Sequence, residues 1–356
     1  MQLDLPFFLC IIWGMNGSLP VASTLPIGGS VDRVSVVIPV HKVERFIEQC
    51  VQSVVEQTYP DVEIILVDDC GGDRSIELAE AVLKKSARPW QILYHEKNRG
   101  QSAARNTGTD VATGKYLYYV DSDDYIGKNA IAALVEAIKK FDAHIAYGKG
   151  RKMLMPDGSL KPIWKENADN LHEMDPFHAH LQEDTPLMPW HRLIDLDAYR
   201  KTGIRFKEGI VHEDDYWSFE LSRTNLRICT APGENLYFYR QHPDSVMAED
   251  KGTERRLNGR LAVLRLHYRV MLDEKLYEDP IFRKRYAHLF HQIANIITVR
   301  KNYSYSQKRQ LAENFINEFS YIIPEIRKTH IRLRRFVSWG RYIPACLAMK
   351  LASVLF

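Results

Sequence analysis

Short apolar runs alternate with segments whose apolar residues recur every three or four positions along the first half of the chain. The runs read as strands, and the segments between them read as helices. The predicted strands are VSVVIPV from Val34, VEIILVDD from Val62, WQILYHE from Trp90 and KYLYYVD from Lys115. Continuous β-branched runs are typical of strands buried on both faces, so the alternation predicts βαβ units and an α/β fold with a mostly parallel sheet.

Changes in this pattern predict three regions. Residues 1–32 form an N-terminal extension whose apolar stretch, LPFFLCIIWGM, is too short to span a bilayer and has no positive residue before it, unlike a signal peptide. Residues 33–250 carry the alternating strands and helices, with a polar β-excursion and loops at 150–185. Residues 251–356 have apolar residues at helical spacing, which predicts helices packed on the preceding domain. No later stretch reaches about 18 apolar residues, so we expect no transmembrane helix.

Composition narrows the class of protein. A chain of 356 residues with 45% hydrophobic content can bury a proper core, and disorder is not expected. The formal net charge of +3, from 48 basic and 45 acidic residues, predicts no nucleic-acid partner. The five cysteines form no CxxC pair and are odd in number, which argues against a disulfide framework or a zinc site and favours a reducing cytosol.

Polar residues follow each of the four predicted strands. They lie at 39–41, 68–69, 95–100 and 121–124. The carboxyl ends of parallel strands meet at one edge of a sheet, where ligands of α/β proteins collect. The sequence therefore predicts a single site built from four separate stretches.

The stretch YVDSDDY crowds Asp121, Asp123 and Asp124 into four positions. Carboxylates this close repel one another unless a cation lies among them or all of them point into water. The cluster therefore predicts either a divalent metal site, through Asp123 or Asp124, or a solvated turn.

Asp69 and Arg105 are the other candidates at this edge. A carboxylate after a strand can accept a hydrogen bond from a base or a ribose, but Asp69 can equally cap the next helix. Arg105, in a predicted helix after a glycine turn, can hold a phosphate or pair with a nearby aspartate. The sequence has no GxGxxG and no GxxxxGK[ST], so it lacks the dinucleotide and P-loop fingerprints.

The stretch VHEDDYW places Glu213, Asp214 and Asp215 before an aromatic segment. A carboxylate here can serve as the general base that takes a proton from an attacking hydroxyl. Acidic residues also stabilise the first turn of a helix, and this stretch alone does not decide between the two interpretations.

Taken together, four ordered motifs resemble the family 2 glycosyltransferases, over roughly residues 33–247. They are VSVVIPVHKVERFIEQCVQSVVEQTYPDVEIILVDDCGGDRS, NRGQSAARNTGTDVATGKYLYYVDSDD, PWHRLI and HEDDYW. The resemblance implies a GT-A fold, a Rossmann-like sheet flanked by helices, here with a C-terminal helical extension. It also implies inverting transfer of a hexosyl or N-acetylhexosaminyl group from a nucleotide-sugar, usually a UDP-sugar, with Mn²⁺ or Mg²⁺, in one displacement.

The resemblance also implies a role for each matching residue. It places around the donor nucleotide Pro39, Val40, His41, Glu44, Asp69, Arg105, Asp121, Ser122 and Asp123. It assigns the metal to Asp123 and Asp124, and the catalytic base to Asp214 within the Glu213-Asp214 pair. It places on the acceptor side or in a mobile segment near the donor Trp190, His191, Arg192, Arg240, His242 and Ser245.

Three stretches depart from the family pattern. His41 stands where tyrosine is usual, which changes the surface on which the base stacks. The stretch WHR at 190–192 replaces Trp-Asn-Lys, which puts the acceptor contacts in doubt, and Cys70-Gly71-Gly72 replaces Gly-Ser. No carboxylate that the chemistry needs is lost.

The last thirty residues combine basic and apolar positions. Cations crowd the start of this segment at Arg327, Lys328, Arg332, Arg334, Arg335 and Arg341. One helical face can carry Phe336, Trp339, Ile343, Leu347, Leu351 and Val354. This pattern predicts peripheral binding to an anionic membrane surface. A terminal helix docked on the protein and a subunit interface of a homo-oligomer are the alternatives.

The expected protein is therefore an enzyme of the cytoplasm, peripheral on the inner face of a bacterial cell membrane, that builds a surface polysaccharide or glycolipid glycan on a glycan or lipid-linked acceptor. A catalytically inactive nucleotide-sugar-binding or scaffolding protein is the alternative from another class. A nucleotidyltransferase would need an activating lysine and a glycine-rich first loop, which PVHKVE does not supply. A processive synthase is disfavoured because the chain has no QxxRW sequence.

Overall fold

A computed structural model of the chain describes residues 31–163, 167–234, 236–242, 254–299 and 303–339. Most of the predicted N-terminal extension, Ser245 and the segment after Trp339 lie outside the described residues. None of the helices within the described ranges is long and apolar enough to cross a bilayer. The proposed division at residues 32 and 250 stays a prediction.

The alternating pattern folds as predicted up to the acidic cluster. The elements in order are β1 (Val34–Val40), α1 (Ile47–Val55), β2 (Val62–Asp68), α2 (Ser75–Leu83), β3 (Trp90–Tyr94), α3 (Gln101–Val111) and β4 (Tyr116–Tyr119). The four strands are mutually parallel, in the order β4-β1-β2-β3. The β-branched residues of β1 and β2 are inaccessible to solvent, because α1 and α2 cover one face of the sheet and α3 lies against the other.

The middle of the chain completes this sheet and adds a second one. Its elements are β5 (Tyr125–Ile126), α4 (Ala130–Phe141), β6 (Ile145–Gly148), β7 (Arg151–Leu154), β8 (Leu160–Pro162), α5 (Pro176–Leu181), β9 (Arg192–Asp195), α6 (Leu196–Thr202), α7 (Glu213–Ser222), β10 (Ile228–Ala231) and β11 (Tyr237–Arg240). The main sheet has the order β10-β6-β9-β4-β1-β2-β3, and β9 runs antiparallel to both of its neighbours. The small sheet has the order β5-β11-β7-β8.

Within the described residues, four helices follow β11, as the periodicity predicts. They are α8 (Glu254–Asp273), α9 (Pro280–Val299), α10 (Tyr305–Glu318) and α11 (Arg327–Trp339). Their apolar faces share one buried cluster with Leu181 of α5 and Phe219 of α7. The C-terminal helices are therefore packed on the α/β part through the helix that carries the predicted catalytic base. The architecture confirms the predicted α/β class, a mostly parallel sheet flanked by helices and followed by C-terminal helices.

Candidate active site

Asp69 follows β2 and lies inside the edge of the sheet, with 3% of its surface exposed. Its carboxylate accepts hydrogen bonds from the backbone N–H groups of Arg99 (2.8 Å) and Gly100 (2.7 Å), and it lies 2.7 Å from Nδ1 of His95. Asp69 therefore holds the loop that opens α3. A contact between this carboxylate and a base stays a prediction. The sequence placed His95 at this edge without a role, and the structure makes it the partner that orients Asp69.

The residues after β1 lie beside this loop. Nδ1 of His41 is 3.0 Å from the carbonyl oxygen of Asp69, and Nδ2 of Asn98 is 3.0 Å from Nε2 of His41. Glu44 accepts a hydrogen bond from the backbone N–H of Arg74 (3.2 Å). Pro39 is half-buried, and the Val40 side chain belongs to the core. The structure thus brings His41 and Glu44 to the predicted edge.

Arg105 connects the distant motifs. Its guanidinium donates from Nη2 to Oδ1 of Asp121 (2.9 Å) and from Nη1 to Oε1 of Glu213 (3.0 Å). It is 1% exposed, and its Nε has no hydrogen-bond partner within the described part of the chain. Glu213 also accepts from Nε2 of Gln101 (2.5 Å). Residues from α3, the end of β4 and the start of α7 therefore share one site.

Burial and neighbouring charges shift the pKa values of the site residues. Burial raises the pKa of Asp121, and the charges of Asp123 and Asp214 raise it further, whereas Arg105 opposes the shift. Burial also raises the pKa of Glu213, with a further contribution from Asp214. Burial alone would lower the pKa of Arg105, but Asp121 and Glu213 outweigh that effect and raise it. Asp214 is thus close enough to the acidic cluster to act on it.

The acidic cluster is divided between two environments. Asp124 is fully buried and accepts hydrogen bonds from the Tyr237 hydroxyl (2.8 Å) and the Arg240 backbone N–H (2.8 Å), one at each oxygen. The side chains of Asp121 and Asp123 keep 25% of their surface exposed. Asp123 lies 2.9 Å from Nε2 of His242, and Ser122 is buried. The described residues contain no group of three His, Cys, Asp or Glu side chains arranged to hold a metal ion. The metal roles of Asp123 and Asp124 therefore stay predictions.

The start of α7 is held in place by residues of the C-terminal helices. Asp215, beside Asp214, is buried and pairs with Nη2 of Arg285 on α9 (3.2 Å). Gly259 of α8 packs so tightly on the chain before α7 that a Cβ there would lie 2.0 Å from the carbonyl oxygen of Val211. Asp214 itself is half-buried. No sequence pattern predicts these contacts, because the partners are 70 and 48 residues apart.

The three residues predicted on the acceptor side lie inside the protein. Trp190, His191 and Arg192 are at most 3% exposed. The Trp190 ring stacks on Tyr237 with 4.3 Å between centroids. Arg192 donates to the carbonyl oxygens of Pro186 (2.6 Å) and Met188. In this structure, Trp190 packs on β11, His191 lies 2.9 Å from the carbonyl oxygen of Lys149, and Arg192 holds the loop at 186–188. The contact of these three side chains with an acceptor stays a prediction.

The residues predicted in a mobile segment are partly described. Arg240 donates to Oε1 of Gln49 (2.6 Å) and lies over the ring of Phe46. The His242 ring also packs on Phe46, with 4.6 Å between centroids. Both are thus placed beside the acidic cluster, whereas Ser245 lies outside the described residues.

Comparison with known families decides the affiliation of this site. The family model for glycosyl transferase family 2 matches residues 35–199, which run from β1 into α6. The chain carries a family 2 glycosyltransferase domain. The resemblance that the motifs predict is thereby confirmed, and the Asp69, Arg105 and Asp121 positions lie inside the matched part of the family 2 domain.

Several curated proteins are similar to this chain over about 60% of its length. The uncharacterized glycosyltransferase EpsJ of Bacillus subtilis is 32% identical over 226 residues, which cover 60% of this chain and 62% of EpsJ. Glycosyltransferase GlyG of Streptococcus pneumoniae is 26% identical over 60% of this chain and 72% of its own. The fold is similar to that of S. aureus TarS 1-349, solved in complex with UDP-GlcNAc, with a TM-score of 0.56 and 17% identity over 85% of this chain and 92% of that one.

Proposed function

We propose that this protein is an inverting glycosyltransferase that moves a hexosyl or N-acetylhexosaminyl group from a UDP-sugar to a hydroxyl of a glycan or lipid-linked acceptor. The observation that carries the proposal is the convergence of Arg105, Asp121 and Glu213, with Asp214 beside them, although they come from three separate motifs. The UDP-GlcNAc bound to TarS, which shares the fold, supports a uridine donor.

Arg105 is suited to the donor diphosphate. Its guanidinium is held in place by Asp121 and Glu213, while its Nε has no partner within the described residues. A positioned cation of this kind stabilises the negative charge that grows on a leaving diphosphate. Glu213 therefore acts as the residue that orients Arg105 and Gln101, rather than as a proton acceptor.

Asp214 is the proposed general base. It is half-buried at the first turn of α7, next to the Asp121 and Glu213 carboxylates. A carboxylate in this position takes the proton from the acceptor hydroxyl as that oxygen attacks the anomeric carbon. Attack from the face opposite the leaving diphosphate inverts the anomeric configuration.

Asp121 and Asp123 fit a divalent cation. Mg²⁺ and similar ions are commonly held by one or two carboxylates together with substrate phosphate oxygens. These two side chains keep exposed surface, whereas both oxygens of Asp124 already accept hydrogen bonds from the protein. Asp121 and Asp123 are thus the proposed metal ligands, and Asp124 fixes the end of β11. A bound Mn²⁺ or Mg²⁺ would stabilise the charge on the diphosphate.

The experiment that tests the function combines donor binding with turnover. A panel of nucleotide-sugars, each with and without Mn²⁺, is screened for thermal stabilisation of the protein and for release of the nucleoside diphosphate. We expect one UDP-sugar to raise Tm in a metal-dependent way. Asp214→Asn should keep this shift and reduce UDP release by about 10²- to 10⁴-fold. The exposed Asp197→Asn on α6 is the matched control and should change neither.

Three results would contradict the proposal. If no nucleotide-sugar raises the Tm of the protein, the proposed donor site is wrong. If Asp214→Asn turns over at the wild-type rate, Asp214 is not the base. If the wild-type protein binds a donor but releases no UDP, an inactive nucleotide-sugar-binding protein is favoured.

Peripheral membrane binding remains part of the proposal, with its surface revised. Phe336, predicted on the membrane-facing stripe, is 1% exposed and packs on Tyr305 of α10. The outer face of α11 exposes Arg327, Lys328, Arg332, Arg334 and Arg335, together with Ile331 at 42%. Basic residues attract an anionic membrane by about 1 kcal/mol each. Arg332→Glu/Arg335→Glu should therefore release the protein from anionic liposomes, and equal partitioning of the variant and the wild type would contradict the idea.

A further inference from the structure

Gln101, the first residue of α3, completes a closed ring of hydrogen bonds with Arg105 and Glu213. Its Oε1 accepts from Nη2 of Arg105 (3.2 Å), and its Nε2 donates to Oε1 of Glu213 (2.5 Å). Arg105 closes the ring by donating from Nη1 to the same oxygen of Glu213 (3.0 Å). Gln101 is exposed, whereas Arg105 and Glu213 are buried. Neither the sequence pattern nor the family resemblance assigns a role to Gln101.

The ring has a specific requirement at position 101. The Arg105 guanidinium can only donate hydrogen bonds, and an ionised Glu213 can only accept them. The side chain between them must therefore offer one acceptor and one donor, and the Gln101 amide offers both. A carboxylate at this position would face the Glu213 carboxylate, and an apolar side chain would form neither bond.

Gln101 lies between the two parts of the candidate site. The two residues before it donate their backbone N–H groups to the Asp69 carboxylate, at 2.8 and 2.7 Å. On its other side, Glu213 is the first residue of α7 and directly precedes Asp214. Gln101 is therefore placed where the donor side of the site meets the helix of the proposed base.

We propose that Gln101 is a positioning residue whose amide holds the Arg105 guanidinium toward the donor diphosphate and fixes Glu213 against α3. The inference rests on the proposed function and adds a residue to it. Arg105 stabilises the charge that appears on the diphosphate as the glycosidic bond breaks, so its exact position affects the transition state more than the bound donor. Loss of the ring should therefore reduce kcat more than it raises KM for the donor.

The first test compares Gln101→Met with Gln310→Met. Methionine has a similar length and helix propensity but forms neither hydrogen bond. Gln310 of α10 is also exposed and donates to a side chain four positions further on, that of Asn314 (3.0 Å), so it controls for the loss of a surface amide. Gln101→Met should lower kcat for UDP release by about tenfold and change KM for the UDP-sugar by less than about threefold. Gln310→Met should match the wild type.

The second test uses the pH dependence of Gln101→Glu. The charged groups of Arg105, Asp121, Glu213 and Asp214 surround this position, and burial together with the charge of Asp214 raises the pKa of Glu213 to about 7. Two adjacent carboxylates retain one proton as the pH falls, and that proton restores a donor to the ring. The kcat of Gln101→Glu relative to the wild type should therefore rise by about fivefold between pH 8 and pH 6. The same ratio for Gln101→Met should stay constant.

A third measurement does not depend on turnover. The backbone N–H of Tyr216 donates to the carbonyl oxygen of His212 (3.2 Å) and closes the first turn of α7. Because Gln101 binds the first residue of this turn, Gln101→Met should speed hydrogen exchange in peptides that cover it by about threefold. Peptides from α10 should exchange at the wild-type rate.

Three results would overturn the proposal: a wild-type kcat in Gln101→Met, the same pH dependence in Gln101→Met and Gln101→Glu, or unchanged exchange at the start of α7. The donor-induced rise in Tm should be kept in both Gln101 variants. If the wild-type protein releases no UDP from any nucleotide-sugar, the proposed function fails, and the exchange measurement then decides whether Gln101 holds Glu213 against α3.

Discussion

The donor side and the catalytic helix of this site are held in different ways. On the donor side, Asp69 is fixed by backbone N–H groups and by His95, all within about thirty residues of it. On the other side, Asp214 lies on the first turn of α7, which Arg285 of α9 holds through Asp215, while Gly259 of α8 packs on Val211 just before that helix. The comparison indicates that donor binding depends on the α/β part, whereas the position of the base also depends on α8 and α9.

The largest effect that tests this comparison is expected from Arg285→Met. Removing the arginine leaves Asp215 buried and unpaired, and breaking a buried ion pair from one side typically costs about 3–5 kcal/mol. Urea unfolding of the full chain measures the loss. Arg285→Met/Asp215→Leu removes both charges and should recover most of it. A cost below about 1 kcal/mol for the single variant would contradict the importance of the pair.

The same variant, assayed at a temperature where it remains folded, tests whether donor binding and the position of the base depend on different parts of the protein. Arg285→Met should reduce UDP release while the donor-induced thermal shift is kept. Asp69→Asn is the counterpart on the donor side, because it weakens the contacts that hold the loop at 95–100. It should reduce the thermal shift. Equal loss of donor binding in both variants would show that the two sides are not independent.

A smaller difference in the free energy of unfolding is expected between alanine variants of two buried helical glycines. A Cβ on Gly259 would lie 2.0 Å from a backbone oxygen, that of Val211, whereas a Cβ on Gly108 of α3 would meet the side chain of Val37 at 2.4 Å. Overpacking costs about 1–3 kcal/mol, and a side chain can move more easily than a backbone. Gly259→Ala should therefore be destabilised toward the upper end of this range and Gly108→Ala toward the lower end, as measured by urea unfolding. The reverse order would contradict the inference that α8 fixes the position of α7.

The parts of the fold that could be predicted from the sequence are those with a local signal. β1 to β4 and the helices between them follow from β-branched runs and helical spacing, and the rule for parallel strand ends brings Asp69 and Asp121 to one edge. Arg105 and Glu213 could be added because their motifs resemble a known family. The long C-terminal helices also follow from periodicity.

The remaining features depend on contacts between distant residues. β9 has four residues, and nothing in RLID indicates that it inserts antiparallel between β4 and β6. Polar His191 and Arg192 suggest a surface, but backbone carbonyls of Lys149, Pro186 and Met188 provide hydrogen-bond partners inside the protein. The sequence shows none of these partners, so the burial of His191 and Arg192 could not be predicted.

The position of β9 limits the order in which the sheet can be completed during synthesis. β4 pairs with β1 on one edge and with β9 on the other, and β9 is some seventy residues further along the chain. A nascent chain that stops before residue 192 has the four N-terminal strands but leaves the aromatic edge at Tyr116–Tyr119 without its second partner. Open strand edges pair with other chains. Ribosome-stalled or truncated forms that end in this interval should therefore aggregate, whereas chains extended past β9 close that edge.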